Sequence, residues 1–389
     1  MLYLDSCATT PCDPQVIEAI SECLTKTVGN PSSSHVAGKR ALWLIQSARD
    51  KIARLLDADP EELVVTSGAT ESNNLALFGS LGHDEVAPVN VVISSIDHSS
   101  VVQIGQELER RGVRIARPHV NQWGVVTPEA IDRCIDQHTR LVSIAMVNSE
   151  IGTLQPAKEI GALCRSRGVL FHVDASQAIG RVPVSVQTLS ADLLSLSGHK
   201  IYGPPGVGVL YVRQAIQQRL RPMAYGGGQQ RLRSGTFPTA LIVGLGVACE
   251  LSALRRQADS GLATALRDGF WRVLQAQIPD AQLNNNLLSS VPHILNFRIA
   301  GVSSETLVVG LADVAISAGS ACASGSGAPS AALTGIGLTP EEAKESIRVC
   351  FGRNLTIADV ERAALKISEA IRAIRGNTDT RHLSRSTQL

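Results

Sequence analysis

Aromatic side chains are scarce in this sequence: Phe, Tyr and Trp make up 3% of its 389 residues. Any large core must therefore be mostly aliphatic. An excess of charge of one sign is also missing, with 36 basic residues against 35 acidic ones, so nothing argues for a nucleic-acid or membrane surface. No apolar run approaches the ~18 residues of a membrane span. Met1 to Asp5 leads directly into a strand-like stretch, with no charged-then-apolar export signal at its head. The eight cysteines, at 7, 12, 23, 134, 164, 249, 322 and 350, form no CxxC pair. Together these absences predict reduced thiols, a cytoplasmic location and no metal site.

What is present is a chain 44% hydrophobic and 18% charged, able to bury a sizeable core and long enough for a large catalytic domain with a smaller companion. Arg372, Arg375, Arg381 and Arg385 give the C-terminal end a local basic excess, which reads as a solvated or disordered tail. No internal repeat or low-complexity tract is evident.

Helical and strand patterns alternate over the first two thirds. Short apolar strands are expected at Glu62–Thr66, Asn90–Ser94, Val113–Ala116, Leu141–Ala145, Val169–Val173, Leu193–Leu196 and Gly206–Val212. Helices fall between several of them, including Ser47–Leu56 and Val101–Arg110. Such alternation predicts an α/β fold: a mostly parallel sheet covered on both faces by helices. A long helix from Thr239 to Ala258 follows. Beyond it lies an α+β region with a strand at His293–Phe297 and helices near Ser304–Leu311, Pro340–Glu345 and Ile357–Arg375. These patterns place a domain boundary near residue 258.

In an open α/β sheet, ligands bind beyond the carboxyl ends of the strands. Polar residues gather there: Ser67–Thr70, Asp97 with His98, Asn148–Glu150, Asp174–Gln177 and Ser197–Lys200 each follow an apolar strand. Lys200 sits in a Gly/Pro-rich turn between two apolar strands, where partial desolvation would make its amine nucleophilic and fit for a Schiff base. Alone, it reads more readily as an exposed loop lysine. Asp174, ending the strand 26 residues earlier, adds a carboxylate able to pair with a protonated pyridine nitrogen, although a strand-end Asp is often only a cap. The small residues Ser67 to Thr70 open a helix, where the backbone around Ala69 and the Thr70 hydroxyl could receive an anion. Ser197 and His199 could complete a phosphate cup. His98 could stack on a planar ring or cap the next helix. Cys322 lies in a run of small residues, Ser317 to Pro329, which suits a mobile thiol better than a packed one.

Taken together these residues resemble the class V aminotransferase group of fold-type I pyridoxal-phosphate enzymes, and within it the cysteine desulfurases of the NifS/IscS type. The resemblance runs nearly end to end: Tyr3–Thr10, Gly29–His35, Thr66–Asn74, Asn148–Gly152, His172–Gln177, Ser197–Pro204, Gly226–Thr236, Gly319–Ser326 and Ser346–Arg348. The lysine motif is specific to pyridoxal-phosphate enzymes of this group, and the cysteine motif narrows it to desulfurases.

The resemblance implies a large cofactor domain over residues 13–257 and a small domain made of 1–12 and 258–389. It implies that Lys200 forms the Schiff base with pyridoxal phosphate and moves the substrate Cα proton. Asp174 would bind the pyridine nitrogen, Gln177 the phenolic oxygen, and His98 would stack on the ring. Ala69, Thr70, Ser197 and His199 would hold the phosphate, joined by Thr236 from the other subunit of a homodimer. Arg348 would grip the substrate carboxylate through a two-pronged ion pair, with Asn148 beside it. Cys322 would take the sulfur of L-cysteine as a persulfide and release alanine, passing the sulfur to an acceptor protein. Iron–sulfur scaffolds, tRNA-thiolation carriers and DNA-phosphorothioation proteins are the acceptors such enzymes serve.

Two positions depart from the pattern. Ser149 replaces the asparagine that would hydrogen-bond the cofactor's phenolic oxygen, and Cys7 replaces a customary alanine. Both Cys7 and Cys350 read as packing residues. Rival readings are a selenocysteine lyase or cysteine-sulfinate desulfinase, which would share nearly every residue, and a class V aminotransferase, which has no use for Cys322. A decayed scaffold is disfavoured by the joint presence of Lys200, Asp174, Cys322 and Arg348.

Overall fold

A computed structural model describes residues 1–81, 88–227, 231–319 and 329–386, with the backbone alone described for 377–386. In chain order the elements are β1 (Leu2–Tyr3), α1 (Pro14–Lys26), α2 (Val36–Leu56), β2 (Leu63–Thr66), α3 (Ala69–Leu81), β3 (Asn90–Ile93), α4 (Ser99–Arg110) and β4 (Arg114–Ala116). Next come α5 (Pro128–Asp132), β5 (Thr139–Ala145), α6 (Ala157–Arg167), β6 (Leu170–Asp174), β7 (Leu193–Ser197), β8 (Gly208–Val212) and α7 (Thr239–Gln277). The remainder is β9 (Gln282–Leu283), β10 (Ile294–Arg298), α8 (Ser304–Gly310), β11 (Val314–Ala315), β12 (Ser317–Ala318), α9 (Ala331–Gly335), α10 (Pro340–Lys344), β13 (Ser346–Cys350) and α11 (Ile357–Ser386).

Seven strands form the main sheet in the order β2-β8-β7-β6-β5-β3-β4. Only β8 runs against its neighbours, pairing antiparallel with both β2 and β7; the other pairings are parallel. Strands β2, β3, β7 and β8 are buried at every position, as expected when helices cover both faces. That is why each appears in the sequence as a short apolar run with no alternation. One close approach fixes the sheet beneath the first turn of α3: a Cβ on Gly208 would lie 2.6 Å from the Gly68 Cα. Glycine is the residue that lets β8 pass there.

A smaller antiparallel sheet, β12-β13-β10-β9, stands beside a parallel pair of β1 and β11. Leu4 joins Phe297, Ile347, Val349 and Phe351 in a second apolar core, separate from that of the main sheet. Helix α7 serves both. Its first half buries Ala240, Ile242, Leu245 and Ala248, and its second half buries Leu266, Phe270 and Leu274 at four-residue spacing.

The sequence expectation that this helix stops at Ala258 is therefore corrected: it is continuous for 39 residues. The change of texture near 258 marks where the buried stripe passes from one core to the other. The C-terminal end is corrected as well. Helix α11 extends to Ser386, and Arg375 pairs with Asp280 at 2.6 Å while Arg372 donates to Gln277. Helix α2 begins at Val36, a full eleven residues ahead of the expected start, capped by the His35 imidazole accepting from the Gly38 N–H. Among the described residues, no helix is long and apolar enough to cross a membrane, and no His/Cys/Asp/Glu cluster suited to a metal is present.

Candidate active site

The site forms where the carboxyl ends of β2, β3, β5, β6 and β7 meet the N-terminal segment and β13. Lys200 ends a short 3-10 turn, Gly198–Lys200, directly after β7. Its side chain is part-buried, and Nζ donates to the carbonyls of Cys7 and Ala8, each at 2.7 Å. The N-terminal segment is held over the lysine by β1 pairing with β11 and by the bridge between Asp5 and Cys350. Lys200 is thus a seated, partly desolvated amine rather than a free loop lysine.

Asp174 closes β6 and is 6% exposed. Its Oδ2 accepts from Asn73 Nδ2 at 2.9 Å and its Oδ1 from the Ser176 N–H at 2.9 Å. Asn73 Nδ2 also donates to Ser100 Oγ at 3.0 Å, and that hydroxyl lies 2.9 Å from His98 Nδ1. One polar chain, buried at its Asp174 end, therefore links His98 to Asp174 through Ser100 and Asn73. Sequence reasoning missed Asn73, which sits in a polar first part of α3 where nothing marks one amide as buried. His98 does cap α4, its Nδ1 accepting from the Ser100 N–H at 3.1 Å. Beside it, the Asp97 Oδ1 accepts from the Ala145 N–H, and burial pushes that carboxyl up to about 8.

Of the expected phosphate cup, the turn before α3 meets Ser197. Ala69 and Thr70 begin the helix, where first-turn N–H groups have no intrahelical acceptor. A Cβ on Gly68 would meet only Ser197 Oγ, at 3.6 Å. Ser67 is committed elsewhere, its N–H donating to Glu71 Oε2 at 2.7 Å, and Glu71 pairs with Arg233. His199 Nδ1 lies 3.1 Å from Thr9 Oγ1, and burial, then the Lys200 charge, push its imidazole down to about 4. An open glycine turn at a helix start, a nearby hydroxyl, a buried carboxylate on the next-but-one loop and a seated lysine fit pyridoxal phosphate. Thr236 lies in an exposed stretch ahead of α7.

Two expected amides spend their polar atoms on the protein itself. Gln177 Nε2 donates to the Cys7 carbonyl at 2.9 Å, and its Oε1 accepts from Arg181. Asn148 Nδ2 donates to the Ile96 carbonyl at 2.8 Å, and its Oδ1 accepts from the N–H groups of Glu150 and Ile151. These contacts shape the loop rather than present an amide outward. Ser149, part-buried between them, offers its carbonyl to Arg348 Nη1 at 3.0 Å.

Arg348 lies on β13 at 3% exposure. Its Nη2 pairs with Asp5 Oδ1 at 2.8 Å and donates to Ser317 Oγ at 3.1 Å, while Nε has no hydrogen-bond partner. Burial opposes its charge, but Cys350, Cys7 and Asp5 hold the guanidinium well above the usual range. Cys322 itself lies outside the described residues. Its flanking root does not: β12 pairs with β13 so that Ser317 stands opposite Arg348. The strand leading to Cys322 and the buried Arg348 guanidinium thus share one register.

Known proteins share this sequence pattern and architecture. The Aminotransferase class-V profile matches residues 2–363. Cysteine desulfurase IscS of Ectopseudomonas mendocina is 42% identical over 378 residues, 96% of this chain and 93% of the relative. A solved NifS-like protein superposes with a TM-score of 0.88 at 30% identity, covering 95% of this chain and 98% of its own. A structure of SspA in complex with cysteine gives 0.80 at 34% identity, covering 90% and 99%.

Proposed function

The chain belongs to the class-V aminotransferase family, and on that premise we propose that it is a cysteine desulfurase that moves the sulfur of L-cysteine onto Cys322. The observation that carries this reading is the register of Ser317 opposite Arg348. It roots the segment that carries Cys322 beside a buried guanidinium, and an aminotransferase would have no use for that cysteine.

The family is pyridoxal-phosphate dependent, and when bound that cofactor supplies an electron sink that weakens the bonds at the substrate's Cα and Cβ. Residues 13–257 would carry it, with 1–12 and 258–389 as the smaller unit. Ala69, Thr70, Ser197 and His199 would hold its phosphate, and Asp174, steadied by Asn73, its pyridine nitrogen. Lys200 would leave the Cys7 and Ala8 carbonyls to anchor it and then move the Cα proton. Arg348 would take the substrate carboxylate, orienting the sulfur toward Cys322. There the thiolate attacks the substrate sulfur: a Cys322 S–S bond forms, the substrate Cβ–S bond breaks, and a proton completes the methyl of alanine. L-cysteine plus a thiol thus give alanine plus a persulfide, with no outside reductant. The sulfur then leaves to an acceptor protein. In a homodimer Thr236, exposed ahead of α7, would reach the cofactor phosphate of the partner subunit. The described cysteines are all free, which supports work in a reducing cytoplasm.

The test is alanine and sulfide release from L-cysteine with a reductant present, wild type against Cys322→Ala. Equimolar products lost in the variant are expected; undiminished release in the variant would overturn the role of Cys322. Absence of yellow colour in the purified protein would argue against the cofactor.

A further inference from the structure

The turn Asn148–Glu150 touches three parts of the site at once. Asn148 holds the Ile96 carbonyl, two residues before His98, and Ser149 offers its carbonyl to Arg348. Glu150 faces the third part. It is 8% exposed, and its Oε2 accepts a hydrogen bond from Ser330 Oγ at 2.5 Å. A Cβ built on Gly319 would lie 4.0 Å from that same oxygen. Gly319 and Ser330 flank the segment containing Cys322, one on each side. A single carboxylate oxygen therefore lies against both roots.

The backbone of Glu150 is fixed as firmly as its side chain. Its N–H donates to Asn148 Oδ1 at 2.9 Å, and its carbonyl accepts from Asn296 Nδ2 at 3.2 Å. Ser330 caps α9, its Oγ accepting from the Leu333 N–H at 3.2 Å while donating to Glu150. On the other root, Ser317 is held by Arg348. A buried carboxylate is costly to keep, and helix capping needs only the Ser330 hydroxyl. Capping alone does not account for Glu150. Burial raises its carboxyl above the usual range, against Ser330 and Arg348, which favour the charge.

We propose that Glu150 is a positioning residue for sulfur abstraction: through Ser330 and beside Gly319 it fixes both roots of the Cys322 segment relative to Arg348. Its action runs through Ser330 rather than on substrate or cofactor. The inference rests on the desulfurase reading, and predicts that loosening Ser330 slows the step needing Cys322 while sparing L-cysteine binding.

The experiment uses the holoenzyme in single turnover with L-cysteine. Binding is read from the change in cofactor absorption, and persulfide on Cys322 from peptide mass. Ser330→Ala should bind L-cysteine within about twofold of wild type yet form persulfide at least about tenfold more slowly. Ser330→Gly, which keeps a tolerable helix cap, should behave alike and separates the Glu150 contact from helix stability. Glu150→Gln, which retains an acceptor for Ser330, should recover most of the rate. Wild-type persulfide rates in Ser330→Ala and Ser330→Gly would overturn the inference. So would equal slowing of the absorption and persulfide steps. A wild type that makes no persulfide on Cys322 would instead overturn the desulfurase reading, and this inference with it.

Discussion

Arg348 and Asp5 form an ion pair at 2.8 Å, both largely withdrawn from water. Asp5 is brought there by its bridge to Cys350, two residues beyond Arg348 on β13. Both Nη atoms of the guanidinium are engaged, on Asp5 and Ser317 and on Ser149, which fixes its plane. A lysine ammonium is a point charge that cannot reproduce such a fork. Arg348→Lys should therefore raise the KM for L-cysteine about tenfold or more, roughly 1.4 kcal/mol for each factor of ten, with a smaller fall in kcat. Steady-state alanine release checks this. An unmoved KM would put the substrate carboxylate elsewhere.

Lys200 yields a prediction of a different kind, because its ammonium already has two carbonyl acceptors in Cys7 and Ala8. Those bonds hold the side chain against the site before any ligand arrives. Lys200→Ala should abolish alanine formation. Borohydride reduction of the wild type should fix the cofactor to the peptide containing Lys200 and leave the variant unlabelled. Label on another lysine would reassign the anchor.

The parallel sheet was legible because strands buried on both faces leave short apolar runs, and each run ends where a polar residue such as Asp174 or Lys200 can be recognised. Side-chain direction was not legible. Nothing in the string shows that Asn148 and Gln177 turn their amides to backbone carbonyls, or that Asn73 reaches Asp174 from another element. Helix α7 was cut short for a related reason: its buried stripe shifts where one core gives way to the other, and a pattern break looks like an end. Helix α11 was underestimated because its last turns are polar and carry no apolar periodicity.

Ser149 stands where the family's pattern has asparagine, and only its backbone carbonyl is tied down, to Arg348. The longer amide of Ser149→Asn should reach the cofactor's phenolic oxygen and shift the absorption maximum or its pH dependence. Thermal stability should stay within about 0.5 kcal/mol, as for a part-exposed position. Identical spectra in the two proteins would dismiss the idea.

Cys7 lies close enough to Cys350 for the two thiols to share a hydrogen bond. Burial works against a thiolate at Cys7. The Cys350 bond and the charges of Arg181, Arg348 and Lys200 outweigh it, so Cys7 is held low while Cys350 is pushed up. Yet Cys7 is 2% exposed and out of reach of any protein acceptor. What Lys200 uses is its backbone carbonyl, which alanine keeps. Cys7→Ala should retain alanine formation and the Cys322 persulfide within about twofold, losing about 1 kcal/mol of stability to the small cavity. Loss of sulfur transfer in this variant would make Cys7 a working thiol.

His293 makes folding sensitive to acid. Its Nδ1 is buried without a hydrogen-bond partner, near Arg181 and Arg353. Burial first, then those two positive charges, lower its imidazole from 6.5 to about 3. Between these values the unfolded chain binds a proton that the folded chain refuses, so stability rises with pH across the window. The contribution is whole above about 6.5 and is lost progressively as pH falls toward 3. Asp97 acts in the opposite sense: its raised pKa makes stability fall as pH climbs from about 4 to 8. Comparison with His293→Gln separates the two, since Asp97 is common to both proteins. Denaturant midpoints from pH 7 to 4 should fall less steeply in the variant, the difference reaching on the order of a few kcal/mol at pH 4. Parallel curves would mean that the folded protein protonates His293 as readily as the unfolded chain does, and would dismiss the idea.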